Sequence, residues 1–166
     1  MTRRTAVKGF DDSFDSAVKH ACKLLSYRDR SGKEMREKLL TKGFSGAVVD
    51  RAVAFLEEKG FINDEKLAEA LRRDAVERRC LGRQGVRTHL VKRGIPRERA
   101  EALSTGGAEE DYIDAARRLI EKQLRRLKQY DEATVKRRLW GMLARRGFSI
   151  DSIRKAMKSL NMEEES

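Results

Sequence analysis

The stretch that decides the fold is Leu39-Leu40-Thr41-Lys42-Gly43-Phe44, because it returns twice. Leu90-Val91-Lys92-Arg93-Gly94-Ile95 and Leu143-Ala144-Arg145-Arg146-Gly147-Phe148 keep the leading leucine, the basic residue before glycine, the glycine and a large apolar residue after it. The three glycines lie 51 and 53 positions apart. So even a period marks tandem copies of one supersecondary unit. Within each copy the leucine packs inward, the glycine ends a helix by turning left-handed, and the apolar residue folds back to the core.

The flanking sequence fills out a unit of three helices. In the first copy, Phe14, Val18, Ala21, Cys22 and Leu25 fall on one helical face. Ser31-Gly32-Lys33-Glu34 has the form of a capping box and opens a second helix that buries Met35 and Leu39. Ser45 caps a third helix with a stripe of Val48, Val49, Ala52, Val53 and Leu56. In the second copy Asn63-Asp64-Glu65 caps a helix with Leu67, Ala70, Leu71 and Ala75 inward, Val86 and Leu90 replace Met35 and Leu39, Pro96 replaces Ser45, and Ala100 and Leu103 follow. Ser104 to Gly107 reads as a loose connection. The third copy supplies Tyr112, Ala115, Ala116, Leu119, Ile120 and Leu127, then Leu139 and Leu143, then Ile153, Ala156 and Leu160.

No stretch alternates as a half-buried strand does, so the chain is expected to be all-α. It divides into a flexible arm 1–11, three-helix repeats at 12–62, 63–107 and 108–161, and an acidic tail 162–166. With 39% hydrophobic and 39% charged residues and a single proline, no segment is apolar enough to span a membrane. The amino end, with Arg3, Arg4 and Lys8, lacks the apolar core of a secretion signal. Cys22 and Cys80 stand singly and are expected to be buried, reduced thiols of a cytoplasmic protein. His20 and His89 have no companions at metal-ligand spacing, and there is no phosphate-binding glycine loop and no nucleophile paired with a base. No enzyme, metal or cofactor is expected.

Taken together, Ser31 to Phe44, the junction Gly60-Phe61-Ile62-Asn63-Asp64-Glu65-Lys66-Leu67-Ala68, Leu81-Gly82-Arg83 leading to Gly94-Ile95, and Leu143 to Ser149 resemble the bacterial RecX regulatory family over nearly the whole chain. Asn63 and Leu67 depart from the family's usual acidic and aromatic residues, which touches local packing only. The resemblance implies an elongated, curved array of three three-helix, helix-turn-helix-like repeats. It also implies a non-enzymatic partner of the RecA recombinase that lodges in the groove of its filament on single-stranded DNA, limits filament growth, and lowers ATPase and strand exchange during recombination and repair.

Charge supplies an independent argument. The chain carries a net charge of +11, which favours a polyanionic partner. From Arg72 to Arg93 there are eight basic residues against two acidic ones, and from Ala115 to Arg146 eleven against three. The candidate contacts to recombinase and to single- or double-stranded DNA are Arg72, Arg73, Arg79, Arg83, Arg87 and Arg93 in the middle repeat, with Arg117, Arg118, Arg125, Arg126, Lys136, Arg137, Arg145 and Arg146 in the last. Arg83 with Arg87, and Arg118 with Lys122, are four apart and so share a helical face, forming stripes for phosphates or carboxylates. Glu57-Glu58 and Glu109-Glu110 read as solvated. Trp140 occupies a slot that is basic in the other copies (Arg36, Arg87) and is a candidate for stacking on a base, against the ordinary reading that it packs on a neighbouring repeat. The competing function is a stand-alone helix-turn-helix protein on duplex DNA. Such proteins usually dimerise to present one recognition helix per subunit, whereas this chain is expected to act as a monomer.

Overall fold

The structure, a computed structural model, describes residues 10–161, with side chains as far as Lys158. The arm up to Gly9, the tail Met162–Ser166 and the inward-facing role given to Leu160 lie outside that range. The described residues form nine helices and no strand: α1 Phe14–Leu25, α2 Gly32–Lys42, α3 Gly46–Glu58, α4 Asp64–Glu77, α5 Arg83–Lys92, α6 Arg97–Thr105, α7 Glu109–Leu127, α8 Glu132–Arg145 and α9 Ile150–Asn161. None of these is long and apolar enough to cross a membrane.

The repeated hexapeptide builds the same helix end three times. Gly43, Gly94 and Gly147 have φ of +110°, +85° and +79°. In each copy the apolar residue donates its amide to the carbonyl of the leading leucine: Phe44 to Leu39 at 3.2 Å, Ile95 to Leu90 at 3.1 Å, Phe148 to Leu143 at 3.3 Å. The glycine amide bonds the next carbonyl along, at 3.0 Å in every copy. These are the paired bonds that satisfy the last carbonyls of a helix, and they aim the apolar residue inward. Phe44, Ile95 and Phe148 are all buried.

Residues up to Leu67 form one compact unit and residues from Ala68 a second. In the first, α1, α2 and α3 pack on one another around Ala17, Ala21, Met35, Leu39, Val49, Ala52, Val53 and Leu56. Ser31 accepts from the amide of Glu34 at 3.1 Å and caps α2, while Asp64 reaches back to the amide of Gly32 at 2.9 Å. Asn63 caps α4 by accepting from Lys66 at 2.9 Å. Ser45 holds the cap position of α3 without a side-chain bond; its amide donates instead to Asp12 at 2.9 Å. Phe10, within the stretch read as a flexible arm, packs on Phe44 with centroids 4.8 Å apart and the rings tilted by 58°.

In the second unit, α5 packs on α6, and α7, α8 and α9 pack on one another. The core is Val86, Leu90, Ala100, Tyr112, Ile120, Leu139, Leu143 and Ile153. Pro96 occupies the cap of α6, one position before its first turn. Four expectations change. Ala70 is exposed and Ala68 buried, so the inner face of α4 is rotated from the one read in the sequence. Cys22 is exposed and Cys80 half-buried, so neither is a core thiol. Cys80, three residues beyond α4, has φ of +48°, the left-handed region that glycine takes at the other turns. Finally, Ser104 and Thr105 belong to α6, and Ser104 is buried.

Candidate nucleic-acid interface

The second unit sorts its arginines into two groups. The segment from Arg97 to Asp114 carries Glu98, Glu101, Glu109, Glu110, Asp111 and Asp114 against two arginines, and it folds onto basic residues on either side of it in sequence. Arg87 pairs with Glu101 at 2.7 Å, and Arg117 with Asp114 at 2.8 Å and Glu110 at 3.0 Å. Arg83 is the most committed. Its guanidinium donates to Glu109 at 2.8 Å and to the carbonyls of Thr105 at 2.9 Å and Gly107 at 3.4 Å, and it lies 4.9 Å from the centre of the Tyr112 ring. Arg72 donates to the Leu103 carbonyl at 3.0 Å, and the Tyr112 hydroxyl to that of Ser104 at 2.8 Å. These groups satisfy the free carbonyls at the end of α6. Burial pushes the Tyr112 hydroxyl pKa up.

Glu109 is therefore not simply solvated. It accepts from Ser152 at 2.6 Å as well as from Arg83, and these bonds, that from Ser152 first, hold its carboxyl below the ordinary glutamate value. The face shared by Arg83 and Arg87 is an internal tie, with both side chains half-buried.

Seven other cations converge on a cleft of about 740 Å³. Its floor is a contact between the N-terminus of α5 and the glycine turn after α8. The Gly82 amide donates to Arg146 O and the Gln84 amide to Gly147 O, both at 3.1 Å, so two free carbonyls at a helix end meet two free amides at a helix start. The backbones are so close that a Cβ on Gly85 would lie 2.2 Å from Arg146 O, and one on Gly147 would lie 2.1 Å from Gly85 N. Around this floor stand Arg78 and Arg79 from the end of α4, Lys92 from α5, Arg118 and Lys122 from α7, and Arg145 and Arg146 after one another on α8 and its cap. No carboxylate lines it; Gln84, Thr88 and Gln123 add neutral donors. Arg79 pairs with Asp74 at 2.7 Å behind the rim, Arg118 donates to Val76 O at 3.3 Å, and Arg146 donates to the Arg79 carbonyl. His89 also lines the cleft, and its Nε2 is buried without a partner. Burial first, then Arg79 and Arg93, push its pKa down, so it is neutral at pH 7.

Two further grooves continue this surface. Gln123 and Arg145 also line a groove between α7 and α8, and Arg137 joins that groove to one between α8 and α9 where Trp140 is 38% exposed. Of the residues singled out in the sequence, Arg79, Arg118, Arg145 and Arg146 meet at the cleft, while Lys136 and Arg137 lie beside Trp140. Arg73, Arg125 and Arg126 are exposed elsewhere on α4 and α7, Arg93 is half-buried near His89, and Arg72, Arg83, Arg87 and Arg117 are tied internally. Arg78, Lys92, Arg154 and Lys158 are not among the contacts read from the sequence, and Lys122 enters there only as the partner of Arg118 on one helical face. The pairs Arg118 with Lys122 and Arg154 with Lys158, each four apart on a helix, carried the signal.

What this arrangement can do chemically is bind extended anions, since a row of cations with neutral donors between them follows a phosphate backbone or a run of carboxylates. Among the described residues no group of three potential ligands could hold a metal ion.

Comparison with known proteins gives the arrangement its setting. Residues 17–56 match the first three-helix domain of RecX and residues 109–157 the third. The regulatory protein RecX of Chlorobium limicola is 32% identical over 152 residues, covering 90% of this chain and 92% of its own. That of a Mycobacterium species is 35% identical over 142 residues, covering 81% and 76%. The crystal structure of RecX from Lactobacillus salivarius superposes with a TM-score of 0.77 at 23% identity, over 91% of this chain and 98% of that one, which is a likeness of fold. With these relatives spanning most of its length, the chain belongs to the RecX regulatory protein family.

Proposed function

We propose that this protein is a non-enzymatic, cytoplasmic regulator that binds the RecA recombinase and its filament on single-stranded DNA, limiting filament growth and lowering ATPase and strand exchange. Membership of a family of regulatory proteins supports the regulator role. The observation that carries the reading further is the cleft of the second unit, where seven cations stand around a backbone contact and no carboxylate lines the space, Asp74 pairing with Arg78 and Arg79 from outside the lining. Such a cleft attracts a polyanion over long range and holds it with several phosphate or carboxylate contacts. We assign the contacts to Arg79, Lys92, Arg118, Lys122, Arg145 and Arg146, which can engage DNA in the filament or acidic segments of the recombinase. We also read the chain as a monomer of three repeats, 12–62, 63–107 and 108–161, the first three helices being the first repeat and the second unit carrying most of the other two.

The test is to add the purified protein to recombinase polymerised on single-stranded DNA and follow ATP hydrolysis together with filament length. Substoichiometric protein should lower both. If neither changes while a particular duplex is bound tightly, the protein is a stand-alone duplex-binding protein instead.

A further inference from the structure

The groove between α8 and α9 has a composition unlike the main cleft. Trp140, the only tryptophan of the chain, forms its apolar floor with Met157, and Lys136, Arg137, Arg154 and Lys158 form its rim. It is shallow and open, with about 520 Å³ of space along it. Trp140 is 38% exposed, so its packing on the helix pair leaves a large part of the ring uncovered. Lys136 pairs with Glu132 four residues earlier on α8, an exposed pair of the kind worth little and easily exchanged for a phosphate.

A flat apolar surface ringed by four cations selects its occupant by chemistry. An apolar helix gains nothing from the rim, and a run of carboxylates gains nothing from the ring. A duplex keeps the faces of its bases stacked inside. Single-stranded nucleic acid brings phosphates and uncovered aromatic faces in alternation, and aromatic platforms beside cations are how proteins hold it without reading sequence. Position argues the same way. Arg137 and Arg145 connect this groove to the basic cleft through the α7–α8 groove. Along α8 from Arg145 back to Lys136 the track covers about 14 Å at 1.5 Å per residue, so a strand on the cleft reaches Trp140 while staying on positive surface.

We propose that Trp140 is a stacking platform for an unpaired base of single-stranded DNA, with Arg137, Arg154, Lys136 and Lys158 holding the flanking phosphates, and that this makes the second unit prefer single strands to duplex. The proposal rests on the reading that the basic cleft meets DNA, and adds to it which form of DNA and through which residue.

Because Trp140 is the only tryptophan, its intrinsic fluorescence reports on this groove alone. Titration of the full-length protein with a thymidine oligonucleotide should quench it in step with binding followed by the anisotropy of an end-labelled copy. A duplex of equal length should quench it much less, and poly-glutamate hardly at all. Trp140→Ala should weaken oligonucleotide binding roughly ten- to a hundred-fold, and Trp140→Phe should keep most of it, with a cooperative thermal melt in both showing that they remain folded. Binding without quenching, equal quenching by duplex, unchanged affinity in Trp140→Ala, or no binding of the oligonucleotide each overturns the proposal. Equal quenching by poly-glutamate does so too and gives the groove to an acidic protein segment. Recombinase ATP hydrolysis is measured alongside: inhibition that persists when the oligonucleotide does not bind leaves the regulatory role standing and removes only the stacking site.

Discussion

The contact under the cleft makes a sharp prediction at Gly85. Alanine in the first turns of a helix is ordinarily favoured over glycine by about 1 kcal/mol. Here the added Cβ would sit 2.2 Å from Arg146 O and 3.2 Å from its carbon, and the obstacle is backbone, which cannot rotate aside. Relief requires α5 and the turn after α8 to separate, which stretches the bonds from Gly82 to Arg146 and from Gln84 to Gly147. Each is worth about 0.5–1.5 kcal/mol, and forced overpacking costs about 1–3 kcal/mol more. At mid-range the balance after the helix gain is a loss of about 3 kcal/mol. At roughly 4–8 °C per kcal/mol for a unit of this size, the melting temperature should drop by about 10–25 °C. Gly141→Ala is the matched control: it lies inside α8 of the same unit, and its Cβ would meet only the Arg145 guanidinium at 3.3 Å, a side chain free to move. That variant should melt a few degrees higher. Thermal melts followed by circular dichroism decide it. If Gly85→Ala melts at or above the wild-type temperature, the α5–α8 contact is not tight and the cleft has no fixed floor.

Other consequences follow from the same geometry. Arg83→Ala, which removes a guanidinium held by Glu109 and two carbonyls, should cost about 1–2 kcal/mol after allowing for its partial exposure, and Arg83→Lys should not restore it because an ammonium cannot span the three acceptors; urea melts measure both. Glu109 is held below its ordinary value of 4.5, so its contribution is complete above that pH and lost as pH falls through the lowered folded value; as pH falls below 4.5 the wild type should lose stability more steeply than Glu109→Gln, which melting at a series of acidic pH values checks. Lys122→Ala combined with Arg145→Ala should leave the melting temperature within a degree or so, yet weaken DNA binding and flatten its dependence on log salt by about 1.4 for single strands, measured by anisotropy at several salt concentrations. Tyr112→Phe removes the bond to the Ser104 carbonyl and should cost about 1–2 kcal/mol in a urea melt.

The helices were legible because each is punctuated by residues with a local mechanism. Ser31, Asn63 and the glycines at 43, 94 and 147 act within four residues of themselves, so their chemistry can be read without knowing the fold. The faces were less legible. In α1 the largest apolar residues, Phe14, Val18 and Leu25, are only half-buried, while Ala17 and Ala21 are fully buried. Small residues mark where helices approach closest, and a stripe drawn through bulk misses them. Charge was hardest to read. Counting from Arg72 to Arg93 and from Ala115 to Arg146 excluded the acids at 98–114, and those are the ones that fold onto Arg72, Arg83, Arg87 and Arg117. Only tertiary structure shows which cations are spent on the fold and which are left over.

The same distinction separates the three copies of the hexapeptide. Their backbones are alike, and what differs is what each glycine faces. A Cβ on Gly43 would lie 3.6 Å from the ring of Phe10, an ordinary contact, whereas Gly147 is pressed against Gly85 with no room for a side chain. The basic residue before the glycine diverges accordingly: Lys42 is exposed, Arg93 is half-buried beside His89, and Arg146 is fixed on the Arg79 carbonyl at the edge of the cleft. A helix terminator in the first copy has become, in the third, part of the floor of a cation-lined cleft. A repeat supplies identical turns cheaply, and the neighbours each turn meets decide which of them is a site.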